Sequence, residues 1–289
     1  ALFGGLAGLV RIDPAAVADL PAEGATRRLD LPRRPPISIG AVEALTVLVS
    51  VDALFGSFMA IQGAYFFGGL DTLERTGMTY AEYARRGFFE LLAVAGLALG
   101  MLCALAVVAR RETRGQRRAF NAASAAMIAL VLGLLGSAFQ RMLLYEQAYG
   151  YTQLRLYTHS FMVLLAIVLV LFLLALLRDR PRLFTSGGFV AALVYLAILN
   201  LANPDALIVR ENVARYQASG AIDAYYLAGL SADAAPALAD SLDALGGNAR
   251  ATIARALERQ AAELAAAQAA QGWPSWHVGR ARAVAAAAR

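Results

Sequence analysis

The sequence predicts an all-α integral membrane helical bundle with about five full transmembrane helices plus a small C-terminal α-helical region. Three observations lead there. Mean hydropathy is +0.56, with 59% hydrophobic and only 16% charged residues, where an ordinary soluble domain carries about a quarter charged. The apolar residues form long continuous Leu/Ala-rich blocks, each near the ~20 residues a helix needs to cross a ~30 Å hydrocarbon core. These blocks lack period-2 alternation. Only helices and closed barrels satisfy every backbone group in lipid, and the pattern selects helices.

Three regions follow: residues 1–40, the end of an upstream helix and a polar linker; 41–203, a transmembrane helical domain; and 204–289, an extracytoplasmic helical region. Ala1 to Val10 is apolar, too short to span, and without the charged start of a signal peptide. It reads as the tail of an upstream helix missing from this sequence. Arg11 to Pro36 is polar and Pro-rich, as a linker is. The spans run about Ala41 to Phe67, Phe88 to Val108, Ala119 to Phe139, Leu156 to Leu177 and Leu183 to Ala202. Asn203-Pro204 stops the fifth.

Orientation follows from arginine, since the chain contains no lysine. The linker before span one and the two alternate loops hold thirteen arginines, against five in the other connections. The richer side is expected to be cytoplasmic. Five crossings then place the region after Ala202 outside. The net charge of +5 is read as topology and lipid headgroup contact, not nucleic-acid binding. Cys103 is the sole cysteine and lies inside an apolar block, so no disulfide or cysteine-based metal site forms within one chain.

Small residues mark expected helix–helix contacts. Gly96, Gly100 and Ala104 recur every fourth position in span two, and Ala125, Ala129, Gly133 and Ser137 do so in span three. Span four, a Leu/Val/Ile/Phe run, is expected to face lipid over much of its surface. Seven of the eleven tyrosines fall in the two outer connections, which favours a shaped outer surface over a plain aromatic belt. After Pro204 the pattern becomes short amphipathic helices. Ser231 is placed to cap one carrying Leu238, Leu242 and Leu245. Gly246-Gly247 breaks it, and an Ala-rich helix follows over about Asn248 to Gln271. Trp273 and Trp276 then stand as anchors to the helices or the membrane surface.

Three segments carry groups able to do chemistry. In Thr79 to Glu90, Thr79 and Glu82 form a capping box, and Glu82 is spaced to pair with Arg85 or Arg86. In Gln140 to His159, Gly150 and Thr152 cap the two arms of a tight helical hairpin. Arg155 and His159 share one face there, and Arg141 and Glu146 are placed to meet them. Glu146 is therefore expected to pair with arginine across the hairpin. Asp52 lies about eleven residues into span one, near mid-bilayer, where a carboxylate must be neutral, paired or facing a polar cavity. His159 and His277 lie in separate regions, so neither a metal nor a haem site is indicated, and no cofactor is expected. Metalloprotease, Walker A, nucleophile-elbow and dinucleotide motifs are absent.

Several segments resemble a bacterial family of multi-pass membrane proteins of unknown function. They are TYAEYARRGFFEL at Thr79 to Leu91 and YEQAYGYTQLRLYT at Tyr145 to Thr158, then NPDALIVRENVAR at Asn203 to Arg215 and IDAYYLAGLSADAAPAL at Ile222 to Leu238. The last, WPSWHVGRARA at Trp273 to Ala283, departs from the family at His277, where Asn is expected. The resemblance implies further spans at the N-terminus and brings no catalytic role.

The function expected is therefore that of a non-catalytic membrane component. Its outer face binds a partner or ligand, and its companions are lipids and other transmembrane helices or subunits. The ligand-contact candidates are Asp52, Arg85, Arg86, Arg141, Glu146, Arg155 and His159. One alternative is a transporter or ion-coupled carrier using Asp52. Another is a membrane enzyme acting on a lipid-linked or anionic substrate, with the arginines binding phosphate and Glu146 or His159 moving protons.

Overall fold

The computed structural model describes residues 38–67, 88–271 and 284–285. Among them there is no strand, only one isolated parallel bridge between Ile39 and Ala109. Five helices are long and apolar enough to cross a membrane. Helices α1 (Ala41–Phe67) and α2 (Phe88–Val108) begin and end where the apolar blocks do. Helix α4 covers Gln153–Leu177, and α5 covers Pro181–Ala202 with proline at its start, where the missing N–H goes unused.

Helix α3 is longer than its apolar block. It runs from Arg114 to Tyr149, 36 residues, or about 54 Å at 1.5 Å per residue. Its start is fixed by a capping box. Thr113 Oγ1 accepts from the Gln116 amide at 3.2 Å, and Gln116 Oε1 accepts from the Thr113 amide at 3.1 Å. Its end waits for Gly150, because no glycine or proline interrupts residues 137–149. The polar residues from Gln140 onward end the hydrophobic block, but the backbone ladder does not depend on side-chain polarity.

Helix α3 is the centre of the bundle, with α1, α2 and α4 packed around it and α5 against α4. Leu48, Leu102, Met127, Ile128, Leu134 and Leu169 are fully buried there. Burying one such side chain contributes about 1.5–3 kcal/mol when the alternative is water; between lipid-embedded helices, close packing takes over that role. Gly133 does what its spacing suggested: a Cβ there would lie 2.9 Å from Met59 Cε of α1. Gly96, Gly100 and Ala104 do not. They face outward, and nothing lies within 4 Å of a Cβ at either glycine; the buried face of α2 is instead Leu91, Ala95, Ala98, Leu102 and Leu105. Helix α4 buries Met162, Leu165, Leu169 and Phe172, turning Val163, Ile167 and Val170 outward. Helix α5 has no buried residue.

A second core follows. Helices α6 (Pro204–Ser219), α7 (Ala224–Ala228), α8 (Ala235–Ser241) and α9 (Gly247–Gln271) close over Ile208, Leu227 and Ile253. Ser231 caps not one long helix but a 3-10 turn, Ala232–Ala234, leading into α8; its Oγ accepts from the Asp233 amide at 3.3 Å. Leu238 and Leu245 are buried, as their spacing requires. Ala1 to Val10, the Thr79 to Gly87 part of the expected helix start, Trp273, Trp276 and His277 lie outside the described residues.

Candidate functional site

Helices α3 and α4 form a hairpin closed by Gly150, Tyr151 and Thr152. Gly150 has φ +80° and ψ 174°, a region open to glycine and almost no other residue. Its amide donates to Glu146 O at 2.7 Å, ending α3. The turn is held from the side by Asn212 of α6. Asn212 Oδ1 accepts from the Tyr151 amide at 3.0 Å, and Nδ2 donates to Tyr151 O at 2.8 Å and to Ile208 O at 2.9 Å. One side chain thus replaces a strand partner for an otherwise unpaired turn, which a buried backbone requires. Burial pushes the Tyr151 phenol upward, and the charges of Glu146 and Glu211 add to it.

Asp205 makes the second link. Its Oδ1 accepts from Gln153 Nε2 at 2.7 Å and its Oδ2 from the Ser231 amide at 3.1 Å. The Tyr226 hydroxyl accepts from the Gln153 amide at 2.7 Å, satisfying a donor at the open start of α4. Asn212 and Asp205 are both buried.

Glu146 and His159 face each other inside the hairpin. Glu146 is 1% exposed. His159 Nδ1 lies 3.1 Å from Oε1, the hydrogen-bonded oxygen, and 3.0 Å from Oε2, which has no bond of its own. Nε2 of the same ring faces Phe139 O at 3.3 Å, and the Phe139 ring packs at 4.3 Å. Glu146 therefore does bridge the two helices, but to histidine and not to the expected arginine. Arg155 is engaged elsewhere: its Nη1 donates to Gly150 O, and its guanidinium lies 4.3 Å from the centre of the Tyr145 ring.

Of the remaining candidates, two are described, Arg141 and Asp52. Arg141 is half-buried on α3 and has an interaction partner of its own. Arg85 and Arg86, with Glu82, lie outside the described residues. Asp52 sits near the middle of α1, half-buried, with Oδ1 buried and unpartnered among the described residues. Among the described residues no group of three or more His, Cys, Asp or Glu side chains is placed to hold a metal ion.

Sequence reasoning missed Asn212, Asp205, Gln153 and Tyr226 as a set. They lie within three of the family-like strings, Tyr145 to Thr158, Asn203 to Arg215 and Ile222 to Leu238. Those strings meet at this junction.

Fold and site together define an integral membrane helical bundle whose central hairpin is locked by buried polar groups to a C-terminal helical region. The chain belongs to the family described as Domain of unknown function (DUF4153), which matches residues 2–241. That match ends at the last residue of α8. Neither a curated protein nor a solved structure matches the chain.

Proposed function

We propose that the protein is a non-catalytic, multi-pass component of a bacterial cell membrane whose hairpin end binds a partner or ligand outside the cytoplasm. The observation that carries this reading is the junction. Hairpin and C-terminal helices are fixed to one another, so their exposed side chains form one preorganised surface, the kind that binds with little ordering cost. Tyr149, Leu154 and Tyr225 lie beside junction residues and are 53%, 64% and 82% exposed; large exposed apolar groups of this kind anchor interfaces. The groups an enzyme reading needs are engaged: Glu146 and His159 with each other, Arg155 with Gly150 and Tyr145.

The test replaces Tyr149, Leu154 and Tyr225 together by serine and follows the native complex in mild detergent. The complex should lose mass while the melting temperature stays put. Unchanged complexes together with an unchanged cellular phenotype would count against the reading.

Orientation has its own test. Arg114 starts α3, whereas Ser231 bonds Asp205 at the far end of the same hairpin. Single cysteines at these positions, in a Cys103→Ala background, should label from opposite sides, with Arg114 reached only from the cytoplasm. Labelling of both from one side sinks the assignment.

Asp52 supports a second reading, an ion-coupled carrier, because a mid-span carboxylate whose buried Oδ1 has no partner among the described residues is costly to keep. Asp52→Asn should then abolish flux and leave folding intact. Wild-type flux in that variant would make Asp52 structural.

A further inference from the structure

The opposite end of the bundle holds a cavity of about 680 Å³ where α2 ends, α3 begins, α4 ends and α5 begins. That is within the ~300–1,000 Å³ range of ligand sites. Its inner wall is apolar, built from Cys103, Ala106, Phe172, Leu176 and Phe184. Phe172 and Phe184 meet edge to face at 5.3 Å and stiffen that wall. The mouth is different: Arg111, Arg117 and Asp179 stand there.

Arg111 is held in place. Its Nη2 donates to Ala106 O at 2.6 Å, and its guanidinium stacks 4.4 Å from the Phe120 ring centre. That leaves most of its five N–H donors without a partner among the described residues. Burial, then the neighbouring Arg117 charge, pulls Arg111 below its ordinary range, and Asp179 opposes them. Arg117 donates through Nε to Arg111 O at 3.3 Å, and its tie to Asp179 is loose, with Nη1 3.5 Å from Oδ2 and both side chains well exposed. Such a pair is worth only about 0–1 kcal/mol and opens readily. The two segments that frame the mouth, 109–121 and 178–185, carry eight arginines against two acids.

We propose that this cavity binds an anionic phospholipid, with its phosphate on Arg111 and Arg117 and one acyl chain along the wall of α2, α4 and α5. The positive mouth selects the charge, since guanidinium groups bind phosphate through charge-assisted bonds. The apolar interior selects a lipid over a free phosphate. The position agrees, because helix ends at the level of headgroups are where such a molecule already lies. This site is independent of the surface at the hairpin end.

The experiment uses the full chain in detergent and measures binding of phosphatidylglycerol and of phosphatidylcholine with identical acyl chains. A preference for phosphatidylglycerol on the order of tenfold is expected, as is a similar loss in Arg111→Gln. Arg118→Gln with Arg182→Gln removes two charges from the same face without touching the cavity and should change binding less than about twofold. Asp179→Asn frees Arg117 and should tighten binding about threefold or more; Asp179 has φ +52°, which Asn adopts readily. A gain of this kind cannot come from misfolding. Equal affinity for the two lipids, equal loss in the control pair, weaker binding in Asp179→Asn, or full competition by millimolar inorganic phosphate would each overturn the assignment.

Discussion

Glu146→Ala should destabilise the hairpin by about 3 kcal/mol, the upper end of what leaving a buried polar group without its hydrogen-bond partner costs. The carboxylate is almost fully buried and its partner His159 nearly so, so solvent screening does little to reduce the effect. The variant strands Nδ1 of a ring whose other nitrogen already faces Phe139 O. Glu146→Gln keeps an acceptor in place and should lose far less, about 1–2 kcal/mol. Replacing both residues by leucine should recover much of the loss, because apolar isosteres of buried pairs are often neutral. Thermal unfolding in detergent, read as a double-mutant cycle, measures this. Additive single effects would show that the pair is not coupled. Glu82→Ala serves as the comparison and should cost less, since the sequence spaces Glu82 three and four residues before Arg85 and Arg86 whereas Glu146 joins two helices.

Gly150→Ala should be at least as damaging, by about 3 kcal/mol or more. Two effects add. The φ +80°, ψ 174° conformation costs a non-glycine residue about 1–3 kcal/mol. The new Cβ would also land on Asn212 Oδ1 and come within 3.2 Å of Arg215 Nε and Nη2. The side chain that must move is therefore the one pairing both the amide and the carbonyl of Tyr151. We expect the C-terminal helices to loosen first, seen as faster proteolysis after Ala202, while α1–α5 remain folded. Asn212→Ala should produce the same pattern without backbone strain. Wild-type resistance in both variants would show that the turn does not hold the two parts together.

The spans were legible because lipid imposes a simple rule: apolar length decides. That rule placed both ends of α1 and α2 but shortened α3, which continues through Arg141 and Glu146 to Gly150. Hydropathy stops at the first polar residue, and a helix stops only where its backbone is released. The partner of Glu146 was misread for a related reason. Arg141 and Arg155 are nearer in sequence and carry permanent charge, so they looked better matched. Burial decides instead. Glu146 continues the buried stripe of Ala138 and Met142, and His159 continues that of Met162, so the two meet inside the hairpin. Arg155 bonds the carbonyl of Gly150. Asn212 and Asp205 carried no periodic signal, since a side chain that binds a distant backbone leaves no periodicity behind; only their place within a family-like string marked them. Small residues were half informative: Gly133 on α3 lies against Met59, whereas Gly96 and Gly100 on α2 face open space.

Helices α3 and α4 each touch both ends of the molecule. Arg117 and Glu146 ride on α3, and Phe172 and His159 ride on α4. Arg117 and Glu146 are thus joined by one unbroken helix, about 44 Å apart along its axis. The turn's bonds to Asn212 are 3.0 and 2.8 Å long, so a shift of about 1 Å between the turn and α6 would carry them past the point where they hold.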